Sequence, residues 1–105
     1  MQRVFVTGGN SGIGFELCKQ LIKKHGCQVF MGVRNTDKGS AAIEQIIKDN
    51  AQAESKIEMI KVDVTDQSSV IDAAAEVRDR LGTKKLYGLI NNAGCIPKPD
   101  GATVE

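Results

Sequence analysis

The feature that most constrains this chain is an eight-residue stretch near its start, Thr7-Gly8-Gly9-Asn10-Ser11-Gly12-Ile13-Gly14. It follows a short apolar, β-branched run, Arg3-Val4-Phe5-Val6-Thr7, and opens a segment with helical spacing at Ile13, Leu17, Leu21 and Ile22. The direct reading is a buried strand, a glycine turn and a helix. Glycine in such a turn lets the backbone approach a bound anion where a Cβ would block the approach or forbid the turn. The helix N-terminus behind it offers unpaired N–H groups and the positive end of its dipole. Alone, a glycine-rich turn reads equally well as a turn without a ligand. Here a βαβ unit surrounds it, which is the context a pyrophosphate cradle needs. No lysine follows the last glycine, so the turn is not a P-loop.

The rest of the chain keeps the alternation going. Gly26 sits where a terminator for the first helix belongs, just past Lys24. Residues 28–33 read as a second strand ending at Arg34. Thr36 is placed to cap a helix over about 37–50, with Ile43, Ile46 and Ile47 as its inner face. Residues 57–62 give a third strand, apolar at Ile57, Met59, Ile60 and Val62. Either Thr65 or Asp66 opens a third helix, with Val70, Ala74, Val77 and Leu81 on one face and Gly82 closing it. Residues 86–90 form a fourth strand, and the Pro- and Gly-bearing tail 97–105 reads as loop.

Strands alternating with helices predict a parallel sheet covered on both faces. Right-handed crossovers put the first two helices on one face and the third on the other. The expected class is α/β, a Rossmann-type half-domain over residues 1–96 with strand order 3-2-1-4.

Bulk properties exclude several functions. A net charge of +1, from 14 basic and 13 acidic side chains, gives no electrostatic reason to expect nucleic acid or an anionic membrane as partner. Cys18, Cys27 and Cys95 are an odd set that makes no metal-ligand spacing with the single histidine, His25. Free thiols in a reducing, cytoplasmic compartment are expected. No apolar run reaches membrane-spanning length, and the strand-like run so close to Met1 leaves no room for a leader peptide.

The spacing T-G-x-x-x-G-x-G resembles that of the short-chain dehydrogenase/reductase family. Two further motifs carry the resemblance: Asp63-Val64 closing the third strand and Asn91-Asn92-Ala93-Gly94 after the fourth. It extends from residue 4 to about 99, and Val33-Arg34-Asn35-Thr36-Asp37-Lys38-Gly39 is similar to the carbonyl reductase and retinol dehydrogenase branches. The resemblance implies that Gly8, Gly12 and Gly14, with Asn10, Ser11 and Ile13, hold the cofactor's phosphates. It implies that the Asp63 carboxylate accepts from the adenine amino group, with the Val64 N–H on a ring nitrogen. Asn91 is then expected at the adenosine ribose and Ala93-Gly94 beside the nicotinamide, with Asn92 tying strands together. Asp63 also has a purely structural reading, accepting helix N–H groups near Thr65.

Cofactor choice turns on the end of the second strand. An NAD site wants an acid there, to bind the ribose 2′-hydroxyl. This chain has Val33 and Arg34 instead, and a guanidinium matches a 2′-phosphate. NADP(H) is therefore expected over NAD(H). Arg34 also reads as a stacking partner for adenine or as a solvated strand end. Cys95 reads either as a thiol near the cofactor or as an ordinary buried cysteine.

The family's chemistry uses a Tyr with a Lys four residues later, plus an upstream Ser and an Asn. The only tyrosine, Tyr87, is followed four residues on by Asn91, and Ser68 and Ser69 match no catalytic position. No catalytic residue is thus expected within the 105 residues, and the substrate of an intact reductase, a carbonyl or alcohol, is left open. The chain reads as the cofactor-binding part of an oxidoreductase, as a non-catalytic nucleotide-binding or regulatory isoform, or as an inert remnant. With one helix to shield one whole face of the sheet, apolar side chains of the first and fourth strands are expected to meet water. Self-association of the isolated chain follows from that.

Overall fold

The structure, a computed structural model, describes residues 2–8 and 12–91. Four parallel strands, β1 (Arg3–Thr7), β2 (Gln28–Val33), β3 (Ile57–Lys61) and β4 (Gly88–Asn91), form one sheet in the order β3-β2-β1-β4. Three α-helices connect them: α1 (Gly12–His25), α2 (Thr36–Asp49) and α3 (Gln67–Leu81). This is the expected Rossmann-type arrangement. Its register aligns Thr7 with Gly32 on one side and with Asn91 on the other, so the C-terminal strand ends stand side by side.

Side chains alternate across the pleat, and each face collects its own core. Val4, Val6, Val29, Met31 and Val33 point to the side of α1 and α2, where they meet Cys18, Ile22, Ala42 and Ile46. Phe5, Phe30, Ile60 and Val62 point the other way and meet Ala73 and Val77 of α3. Two glycines permit close approaches that set this packing. A Cβ on Gly32 would stand 2.8 Å from the Phe5 ring, and one on Gly39 would stand 2.7 Å from the Met59 sulfur.

Several local features differ from the sequence expectation. The cap of α2 is Asn35, not Thr36: its Oδ1 accepts from the N–H groups of Asp37 (2.9 Å) and Lys38 (3.1 Å). Asn35 has the extended backbone a cap needs, whereas Thr36 is already helical. Asn50 ends α2 and at once caps a short 3₁₀ helix, Ala51–Ser55, which the sequence reading missed. Of the two candidates for opening α3, Asp66 is the cap, accepting from Ser68 N–H at 3.0 Å. Gly26 does terminate α1, at φ +64°, with its N–H returned to the Ile22 carbonyl in an αL cap.

Strand β4 begins at Gly88 rather than at 86, and Leu86 packs beside the α3 core instead. The inner face of α3 agrees in part: Val77 is buried and Leu81 packs beside it as expected, but Ala73 is buried in place of Val70 and Ala74, which are exposed. On α1, Ile13 lies outside the core and Cys18 takes the central place. The expected exposure of apolar side chains on the first strand does not occur. Phe5 is only 7% exposed because Gly32, Val62 and α3 close over it; Leu89 of β4 is 65% exposed.

Candidate functional site

In an open parallel sheet, ligands settle outside the carboxyl ends of the strands, where the strand order reverses. In this sheet that point lies between β1 and β4. Gly8 follows β1 at φ +64°, its N–H donating to the Gly32 carbonyl at 2.9 Å, so the turn is bonded to the neighbouring strand end. Gly12, at φ +58°, begins α1 with nothing within 4 Å of where a Cβ would stand. Glycine is thus required there by backbone conformation, not by crowding. Ile13, in the first turn of α1, is 78% exposed, an apolar side chain left bare at the mouth of the turn. Gly14 is buried.

Arg34 directly follows β2 and is exposed. Its charge reaches Asp63, which follows β3 on the same edge of the sheet. The Asp63 carboxyl is held below its usual range by the Thr65 hydroxyl first, then by the Thr65 N–H, with Arg34 adding a smaller pull. One oxygen, Oδ1, receives both Thr65 bonds, from Oγ1 at 2.6 Å and from N at 3.0 Å. The helix N–H groups go to Asp66, so Asp63 is not the helix cap of the structural reading; it closes a turn on Thr65, through one oxygen. Among the described residues Oδ2 accepts nothing, and the adjacent Val64 N–H donates to nothing. Thr7, at the end of β1, is buried and donates its hydroxyl to the Ile90 carbonyl at 3.4 Å, tying the two strands that flank the crevice.

The arrangement brings Gly8, Gly12, Ile13, Gly14, Arg34, Asp63, Val64 and the backbone of Asn91 to the carboxyl side of the sheet. Asn10, Ser11, Asn92, Ala93, Gly94 and Cys95 lie outside the described residues. Sequence reasoning passed over Thr65 and Ser69 as parts of this edge. The Ser69 hydroxyl accepts from the Asp63 N–H at 2.8 Å, so Asp63 is held from both sides. The signal was present in Asp63-x-Thr65, a side chain able to bond its own backbone two residues on.

No helix among the described residues is long and apolar enough to cross a membrane. A second concavity, a groove of about 540 Å³, lies on the α3 face between that helix and β4. Phe5, Val70, Val77, Leu81, Leu86 and Leu89 give it mostly apolar walls, with Arg78 and Lys84 also lining it.

Residues 2–104 match the sequence profile of the short chain dehydrogenase family. The chain is 40% identical over 89 residues to (−)-isopiperitenone reductase of Mentha piperita, a match covering 85% of this chain and 27% of that protein. Among solved structures, menthone neomenthol reductase from Mentha piperita superposes with a TM-score of 0.79 at 35% identity, over 89% of this chain and 31% of the other. The N-domain of a bacterial malonyl-CoA reductase, solved with NADP, gives 0.81 at 29% identity, over 91% and 17% of the two chains. The chain spans between 22% and 34% of the length of the curated relatives it resembles. A parallel 3-2-1-4 sheet, a positive-φ glycine turn after its first strand and a profile match along nearly its whole length converge: the chain belongs to the short-chain dehydrogenase family.

Proposed function

We propose that this chain is the NADP(H)-binding portion of a short-chain dehydrogenase/reductase, whose intact enzyme transfers hydride between NADPH and a carbonyl or alcohol substrate. The carrying observation is Arg34: an exposed guanidinium at the end of β2, where an NAD site would have an acid. A 2′-phosphate is an anion that such a fork can bind through paired, charge-assisted hydrogen bonds. The relative solved with NADP supports the same cofactor.

The residues present fit the rest of a dinucleotide. Gly8 and Gly12, both in the left-handed region, suit a backbone cradle for the pyrophosphate ahead of α1. Ile13 is an exposed apolar side chain that a bound cofactor would cover. Asp63 Oδ2 and the Val64 N–H are an adjacent acceptor and donor, unused among the described residues, the complement of adenine's 6-amino group and N1. When bound, NADPH supplies the hydride; these side chains orient it and choose it. Cytoplasmic residence belongs to this reading, supported by Cys18 and Cys27 being free thiols.

The test is Arg34→Ala. NADPH affinity is expected to fall by about 1.5–3 kcal/mol, the worth of a hydrogen bond to a charged group, with NADH affinity nearly unchanged. Calorimetric titration distinguishes the two, and equal weakening of both cofactors overturns the role given to Arg34.

A further inference from the structure

We propose that Thr65 is the positioning residue for adenine recognition, pinning one carboxylate oxygen of Asp63 so that the other is left for the base. The proposal rests on the dinucleotide reading above and deepens it. Asp63 lies in the connection between β3 and α3, outside regular structure, where a carboxylate is otherwise free to rotate about its side-chain bonds. Three bonds remove that freedom. The Thr65 hydroxyl and N–H both donate to Oδ1, and the Asp63 N–H donates to the Ser69 hydroxyl, which sits in the first turn of α3. The Asp63 carbonyl in turn accepts from the Asp66 N–H at 3.0 Å.

The consequence is specific to the base. With Oδ1 engaged, the carboxylate has one vacant acceptor, Oδ2, beside one vacant donor, the Val64 N–H, among the described residues. Adenine presents a donor at its 6-position and an acceptor at N1, which match that pair. Hypoxanthine inverts both, with an oxygen at position 6 and a proton on N1, and meets a repulsive contact at each. A carboxylate free to turn away would blunt that rejection, so the Thr65 hydroxyl acts on selectivity by limiting where Asp63 can go.

The experiment compares NADP⁺ with nicotinamide hypoxanthine dinucleotide phosphate on the full chain, by calorimetry, in wild type, Thr65→Val, Thr65→Ser and Asp63→Ala. Valine keeps the shape and the N–H of Thr65 and removes only the hydroxyl; serine keeps the hydroxyl. The wild type is expected to favour adenine by roughly tenfold or more, the effect of one hydrogen bond to a charged group. Thr65→Val is expected to lose most of what Asp63→Ala loses and Thr65→Ser to retain the preference, with only the Val64 N–H left to discriminate in Asp63→Ala. A preference reduced by Asp63→Ala but intact in Thr65→Val overturns the proposal and leaves the adenine reading standing. A wild type indifferent to the base overturns both. Equal loss of affinity for the two dinucleotides in Thr65→Val marks a merely structural threonine and also overturns the proposal.

Discussion

On the side of the sheet covered by α1 and α2, strand side chains from Val4 to Val33 are sealed beneath Cys18, Ile22, Ala42 and Ile46. On the other side α3 seals Phe30, Ile60 and Val62 but leaves Leu89 65% and Val70 41% exposed along an apolar groove. The same four strands supply both faces, so strand composition does not explain the difference. Helix cover does: among the described residues, two helices lie over one face and one over the other. The described residues given to the nucleotide sit at the end of β1, the start of α1 and the turns into α2 and α3. The open part, the β4 side of the α3 face, is mostly apolar, and of those residues only Val64 reaches it. On the proposed reading, cofactor binding and coverage of the sheet are separable demands on this chain.

The largest effect should come from breaking the sealed face. Ile46 of α2 is buried among the β-strand valines, and Ile46→Ala is expected to cost about 2–5 kcal/mol, a large share of a small domain's margin. Chemical denaturation should show the midpoint falling steeply or the cooperative transition vanishing. A cost below 1 kcal/mol would mean that this face is no better packed than the other.

Cys18 gives a smaller, pH-dependent measure of the same seal. Burial pushes its thiol from 9.0 up to about 12, because the thiolate is poorly solvated there. The folded chain then holds the proton more tightly than the unfolded chain. This contribution to stability is complete below pH 9 and is lost as the pH rises through 12. One proton gives a slope of about 1.4 kcal/mol per pH unit across that window. The difference in stability between wild type and Cys18→Ala should therefore shift with pH between 9 and 12 and stay constant below it. A difference that is flat throughout would show water reaching Cys18.

The open face predicts a small change in stability and a large one in solution behaviour. Leu89→Lys adds a charge on an exposed edge strand and is expected to alter stability by no more than about 0.5 kcal/mol. The 105-residue polypeptide is expected to self-associate through this face and Leu89→Lys to move it toward monomer, read by sedimentation velocity. A wild type already monomeric at high concentration would show that the groove is no liability.

Strand order and crossover direction were legible in the sequence because both follow from short-range patterns: apolar runs of strand length, helical spacing between them, and one handedness of crossover. The glycine turn was legible for the same reason, since its backbone demand is local. Caps were less so, because Asn35 and Thr36 are both competent and only backbone conformation decides between them. The inner face of α3 was read in part: Val77 and Leu81 pack in the core as expected, whereas Val70 and Ala74 obey the same helical period but line the open groove. Thr65 and Ser69 were missed because their partners are atoms of Asp63, and neither a hydroxyl's direction nor a spare carboxylate oxygen is written in composition or periodicity.

The central claim is that nucleotide binding belongs to the carboxyl edge of the sheet and is independent of the open groove. NADPH titrated into the labelled Leu89→Lys chain, followed through its backbone amides, tests this directly. The account predicts shifts at Gly8, Gly12, Ile13, Arg34 and Val64, weaker or absent at Arg34 when NADH replaces NADPH, with Val70, Val77 and Leu86 unmoved. Shifts confined to Val70, Val77 and Leu86, or the same response at Arg34 to both cofactors, would contradict it.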